Sequence, residues 1–240
     1  MGIAERKDRE FQRRERDILD AALALISTRD GAPVTVDEIA QAAEVGKGTV
    51  YKHFGSKEEI YGRLALDFHR QVLAALQAVD LSGGVVASLR AMVRVFWRAY
   101  RDGRRYQSII ETTARESFRR GMSADLQAEF ERLNQAQFVL YAQLLERGMA
   151  EGLFVRQPIL QALVGPQAVI NGLILMIWSG CVPAEDGEGF VETLTDFLLA
   201  GLRGEPQAVR VGPVAAGAAR ALPEGAACGP ASVVTTPATA

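Results

Sequence analysis

An all-α fold is predicted by three features of the sequence. Apolar residues recur at three- and four-residue steps from residue 13 to about residue 203, and strand-type alternation is absent. Thr35 with Glu38, and Ser56 with Glu59, have the spacing of capping boxes that open helices. Glycine and proline stand where those helices have to stop.

The first helix is predicted over 13–29, where Ile18, Leu19, Ala22, Leu23, Leu25 and Ile26 make one buried face, and Gly31 and Pro33 end it. Thr35 opens a second helix of two to three turns through Ile39, Ala40 and Ala43. After Val45 and Gly46 a short helical segment, Lys47 to Phe54, follows. Ser56 then starts a longer helix that contains Ile60, Leu64, Leu66, Phe68, Val72 and Leu76. Beyond Ser82-Gly83-Gly84, helices are expected near 84–101, 104–119, 124–151, 159–181 and 187–203. From Gly204 the last 37 residues hold five prolines and no aromatic residue. Such a composition buries too little apolar area to offset the entropy of ordering, so 204–240 is expected to be disordered.

Composition narrows the function classes. The 240 residues carry 27 basic and 29 acidic side chains, a net charge of −2, so no overall basic excess advertises a nucleic-acid partner. Two cysteines, Cys181 and Cys228, cannot build a disulfide framework and lack the spacing of a zinc site; no metal and no cofactor is expected. The charged start MGIAERKDREFQRRERD has no apolar core of a secretion signal, which points to the cytoplasm. The apolar stretch 168–182 is roughly 15 residues against the ~20 that span a bilayer, so a buried helix is expected there and no membrane partner.

Local charge is more telling. Between Val45 and Lys57 stand Lys47, Lys52, Lys57 and His53 with no acidic residue. On a helical wheel with Val50 and Phe54 inward, Gly48, Thr49, Tyr51 and Lys52 point outward, flanked by Lys47 and His53. A glycine, a hydroxyl, a phenol and an amine suit phosphate oxygens and base edges. Gly48 costs a short helix about 1 kcal/mol against alanine, which close approach of another backbone would offset. Lys57 sits at the first position of a helix, where the macrodipole disfavours a cation unless an anion docks there. The bland alternatives are a solvated basic face and a partly looped segment with two turn glycines.

The run ILDAALALISTRDGAPVTVDEIAQAAEVGKGTVYKHFGSKEEIY, from Ile18 to Tyr61, resembles the N-terminal DNA-binding domain of the tetracycline-repressor (TetR) family of bacterial transcription regulators. The resemblance rests on ILDAA, TVDEIA and VGKGTVYKHFGSKEE in order. It implies a three-helix helix-turn-helix domain over 12–72, whose third helix enters the major groove of double-stranded DNA. By position, Lys47, Gly48, Thr49, Tyr51, Lys52 and His53 would line the DNA surface, Tyr51 and Lys57 would contact phosphate, and Thr35 would add a backbone contact. One departure stands out: Glu44 occupies the family's turn glycine, a place that asks for a left-handed conformation.

The same resemblance implies that a long helix joins this domain to a helical effector-binding and dimerisation domain over 73–203. LLERGMAEGLF, Leu144 to Phe154, looks like the family's penultimate region, and the last two helices would pair with their copies in a homodimer. Gly165, Gly172 and Ser179 recur every seven residues, a smooth stripe that suits either close helix approach between subunits or a tight monomer core. Met176, Leu194, Phe197 and Leu198 complete the expected interface. Phe96, Trp97, Tyr100, Tyr106, Phe138, Tyr141 and Trp178 are candidates for an effector cavity, although aromatic residues at helical spacing are more often plain core. Glu111, Arg115 and Glu116 read as ligand-orienting groups or as surface pairs.

The expected function is a dimeric regulator, a repressor released from a palindromic operator by a small, mainly apolar effector. It would be a bacterial cytoplasmic protein, on the nucleoid when bound to its operator. A constitutive DNA-binding protein without effector is the alternative. An all-helical enzyme is a further one, though HExxH, GxSxG and Gly-rich phosphate loops are absent and both histidines, His53 and His69, lie in the first third of the chain.

Overall fold

The computed structural model describes residues 3–29, 31–181 and 187–204. Ten α-helices follow in order among them: α1 (Ile3–Ser27), α2 (Val36–Ala42), α3 (Lys47–His53), α4 (Lys57–Gln77), α5 (Val85–Asp102), α6 (Gln107–Thr113), α7 (Glu116–Arg119), α8 (Ala124–Ala150), α9 (Ile159–Trp178) and α10 (Gly187–Arg203). A single 3₁₀ turn, Arg104–Tyr106, precedes α6. No strand occurs among the described residues. Of the tail expected to be disordered, residues 205–240, which include Cys228, lie outside the described residues.

The amphipathic faces pack as the spacing requires. Ile18, Ala22 and Ile26 of α1 meet Ile39 of α2, Val50 of α3 and Ile60 of α4 in one buried cluster, which continues through α5 and α8 to Leu198 and Leu202 of α10. A smaller cluster of Leu66, Met122, Leu126 and Leu133 fastens α4 to the start of α8. α4 runs unbroken past residue 72, so its buried side serves both halves of the chain.

Two helices differ from expectation. α1 begins at Ile3, ten residues early, because its first turns are strong helix formers of mixed charge and carry no apolar periodicity to read. Phe11 anchors this extension by stacking on His53 of α3, ring centroids 4.0 Å apart. The helix expected over 104–119 is split into the 3₁₀ turn, α6 and α7. Its break follows two adjacent threonines, where the Thr113 hydroxyl donates to the Ile110 carbonyl at 3.2 Å and competes with the helical ladder.

Within the stretch 168–182, where a buried helix is expected, α9 is buried in part: Leu173, Ile177 and Trp178 are buried, whereas Leu175 is 47% exposed. α9 spans 20 residues with a mean hydropathy of 1.6, long and apolar enough by length and composition to cross a membrane, yet only 11% of that apolar stretch is buried. Leu160 and Val164 are 68% and 67% exposed. Apolar content measures how much surface wants covering; it does not say which part of one chain covers it.

Candidate nucleic-acid interface

α2, α3 and the start of α4 are short elements held by caps. At α2 the Thr35 hydroxyl accepts the Glu38 N–H at 3.3 Å and donates to Glu38 Oε2 at 2.8 Å, while the Thr35 N–H donates to the same oxygen at 2.8 Å. Arg29 holds the other carboxylate oxygen. The Thr35 backbone N–H, then its hydroxyl and Arg29, lower the Glu38 carboxyl to about 2. Thr35 is exposed, but its hydrogen-bonding groups are already engaged in this capping box.

The turn after α2 closes through Glu44, whose φ is 54°. Its N–H donates to the Gln41 carbonyl at 3.1 Å and the Val45 N–H to Ala40 at 2.9 Å, the paired closure that a left-handed residue permits. A glycine adopts this conformation freely, whereas glutamate pays about 1–2 kcal/mol.

α3 then presents what the wheel predicts. Val50 is buried inside the helix and Phe54 just after it, whereas Gly48, Tyr51 and Lys52 are exposed, Tyr51 at 48%. Thr49 is half-buried. A Cβ built on Gly48 would meet nothing within 4 Å, so no contact within the chain requires glycine there. Lys47 pairs with Asp37 at 2.8 Å on the exposed surface, which raises the lysine above its ordinary range. His53 is half-buried against Phe11, and its Nδ1 is buried without a hydrogen-bond partner.

Ser56 caps α4 by accepting the Glu59 N–H at 3.2 Å, which puts Lys57 at the first helical position. Lys57 Nζ lies 6.0 Å from the centre of the Tyr61 ring. The reciprocal half of the expected second capping box is not formed: the Glu59 carboxylate reaches instead to the backbone N–H of Ser123, 64 residues on. Long-range packing outbids the local bond, a choice the local sequence cannot disclose. Tyr51 and Lys52 of α3 are thus exposed, and Lys57, which follows at the N-terminus of α4, is half-buried.

A second feature lies in the C-terminal half. A cleft of about 50 Å³ is lined by Leu89, Met92, Val93 and Phe96 of α5, Tyr141, Leu144 and Leu145 of α8, Leu163, Pro166, Gln167 and Ile170 of α9, and Leu198 of α10. Of the aromatic candidates, Phe96 and Tyr141 line it, their rings 6.0 Å apart. Tyr100 is packed among Phe68, Phe96 and Trp178, and Trp178 Nε1 donates to the Tyr100 carbonyl at 3.4 Å. Trp97 is buried against Gly187, whose position leaves no room for a side chain. Tyr106 stacks on Phe68 and borders a separate depression with Gln71, Asp102 and Arg105, and Phe138 is half-buried. Most of the cleft wall is aliphatic, which sequence reasoning missed because such residues at helical spacing give the same signal as any core. Glu111 accepts from Gln107 at 2.9 Å, while Arg115 and Glu116 are exposed.

On the expected dimer face, Gly165, Gly172 and Ser179 are exposed, and a Cβ on either glycine would meet open space. Phe197 is exposed, Met176 and Leu194 are half-buried, and Leu198 is buried toward the cleft.

Residues 18–64 match the family model described as bacterial regulatory proteins, tetR family. The chain is 34% identical over 86 residues to the HTH-type transcriptional regulator AlkX of Mycobacterium tuberculosis, covering 36% of either chain. It is 35% identical over 83 residues to the HTH-type transcriptional repressor LfrR of Mycolicibacterium smegmatis, covering 34% of this chain and 43% of the relative. The matched stretch therefore spans less than half the length of both relatives. Over 78% of the chain the fold is similar to that of 98% of the transcriptional regulator FadR from Bacillus subtilis, solved in complex with stearoyl-CoA, with a TM-score of 0.63 and 16% identity. The N-terminal match and the capped helices that carry it make residues 18–64 similar to the tetR family of bacterial regulatory proteins, and the all-helical architecture is similar to that of FadR.

Proposed function

We propose that this protein is a homodimeric repressor of transcription that reads a palindromic operator in double-stranded DNA and is released from it by a small, mainly apolar effector. Residues 12–72 serve as the DNA-reading half and 73–203 as the effector-binding and dimerisation half. The observation that carries this reading is α3: a seven-residue helix that buries only Val50 and turns Gly48, Tyr51 and Lys52 outward beside Lys57. In the groove, Lys52 and Thr49 reach base edges, Gly48 admits close approach of the DNA backbone, and Tyr51 and Lys57 hold phosphates. Lys47, His53 and Thr35 border the contact.

One short helix reads only a few base pairs, so a twofold dimer is needed to reach useful discrimination. The uncovered face of α9, with Leu160, Val164, Gly165 and Gly172, and Phe197 of α10 support a second copy as its cover. A cleft in the C-terminal half supports effector control over constitutive binding, and the tetR-family match over residues 18–64 weighs against the enzyme reading. The protein acts in the bacterial cytoplasm.

The test is binding of the purified protein to labelled duplexes from the DNA beside its own gene, with scrambled DNA as control. The wild type is expected to prefer the former strongly, and Tyr51→Ala/Lys57→Ala to lose it. Lys52→Ala should change base preference, while Lys57→Ala should weaken all sequences alike and flatten the salt slope by about one unit. Equal, weak binding to both duplexes by the wild type would refute recognition of that DNA.

A further inference from the structure

The cleft between α5, α8, α9 and α10 carries information about its occupant. Among its twelve lining residues none is charged, and only Tyr141 and Gln167 bear polar side-chain groups. Gln167 is exposed and donates to Asn171 at 3.0 Å. Tyr141 Oη, by contrast, is buried from solvent and has no hydrogen-bond partner. A buried hydroxyl left unpaired is costly, and native structures rarely tolerate one without a reason. Pro166, in the same wall, has no N–H, so the carbonyl of Ala162 one turn back loses its helical donor.

We infer that the effector of this protein is an uncharged molecule with an apolar body and one hydrogen-bonding oxygen, a ketone, alcohol or ester, whose polar group pairs with Tyr141 Oη. The inference rests on the effector reading above and adds the ligand's chemistry to it. An ionised carboxylate or phosphate would be buried here with no cation to meet it. The Tyr141 phenol is held protonated, since burial and then the neighbouring Tyr100 raise it well above its ordinary range, so it stays a donor at every physiological pH.

Volume adds a second point. About 50 Å³ is far below the several hundred that ligand sites enclose, so the ligand has to part the walls. α9 is the wall that can yield. Its second half is fixed by buried Leu173, Ile177 and Trp178, whereas the first half, up to Pro166, has only Ala162 fully buried. Opening about Pro166 would shift Leu160 and Val164, the side chains proposed to meet the second subunit.

The experiment is calorimetric titration of the full-length protein, without DNA, with 2-octanone and with octanoate at pH 8. The wild type is expected to bind the ketone at least about tenfold more tightly than the anion. Loss of one neutral hydrogen bond in Tyr141→Phe should weaken ketone binding about three- to tenfold and leave octanoate unchanged. Leu163→Phe, which narrows the cleft, should abolish ketone binding and provides a variant that does not touch the hydroxyl. Octanoate bound as tightly as the ketone, an unaltered ketone affinity in Tyr141→Phe, or no ketone binding at millimolar concentration would overturn the inference. None of these results bears on operator recognition, which the duplex assay tests separately.

Discussion

The carboxylate of Glu59, in the first turn of α4, accepts the backbone N–H of Ser123, the residue that caps α8. Ser56, the cap of α4, donates its hydroxyl to the Gly121 carbonyl at 3.3 Å, and Gly121 sits so close that a Cβ there would lie 2.6 Å from Glu58 Cγ. The start of α8 is thus seated on the start of α4, beside Lys57. About 27 Å further along the same rod, at 1.5 Å per residue, α8 places Tyr141 in the cleft. Glu59→Ala is expected to lower the unfolding free energy by about 1–3 kcal/mol in urea titrations, the range for a hydrogen bond to a charged acceptor. Glu59→Gln keeps an acceptor and should lose less; equal losses would show that this bond is not the seat.

Replacing Glu44 by glycine removes the left-handed penalty at φ 54°. A gain of about 1 kcal/mol is expected, a rise in Tm of about 2–4 °C for a chain of this size. Glu44→Ala keeps the strain and should not gain. A Tm for Glu44→Gly at or below the wild type would mean that the turn carries no strain.

His69 of α4 lies between the rings of Phe68 and Phe130, and burial depresses its imidazole to about 4. Above pH 6.5 the imidazole is neutral whether the chain is folded or not. As pH falls from 6.5 towards 4, the unfolded chain takes up a proton that the folded one refuses, so stability drops across that window by about 1–3 kcal/mol. His69→Leu should remove that part of the pH dependence. Glu38, lowered to about 2, contributes above its unfolded value of 4.5 and loses that contribution only between 4.5 and 2, so the two windows are separable. Parallel pH curves for wild type and His69→Leu would contradict the assignment.

A charge placed on the open face of α9 tests the subunit contact. Val164→Glu should sediment as a monomer while keeping its helical circular dichroism, and its operator affinity should collapse because two half-sites are no longer held together. A dimer that survives the substitution would move the interface elsewhere.

Legibility in the sequence followed the range of the interaction. The Thr35–Glu38 box, the cap at Ser56 and the outward face of α3 depend on residues three or four apart, and spacing reveals them. The strain at Glu44 is readable only through the resemblance, which puts a glycine at that turn; spacing alone does not reveal it. The first ten residues of α1 were missed because they have no apolar side to count. The Glu59–Ser123 bond and the exposure of α9 depend on what arrives from far along the chain, and no local pattern encodes that. The cleft was hidden for a related reason: Leu89, Leu144 and Leu163 look like core until one knows that the helices behind them do not quite close.

Both tryptophans of the chain, Trp97 and Trp178, are buried, 2% and 5% exposed, in α5 and α9, helices that also wall the cleft without these two side chains lining it, and neither belongs to α1–α4. Trp97 also keeps an indole N–H without a partner. Indole emission, excited beyond the tyrosine band, therefore arises wholly from α5 and α9 and is blind to direct contact at α3. Any change in indole colour on adding operator DNA would be a signal that has travelled through the molecule. The native chain thus carries an optical reporter for any coupling between the proposed DNA-reading and effector-binding halves, with no label attached.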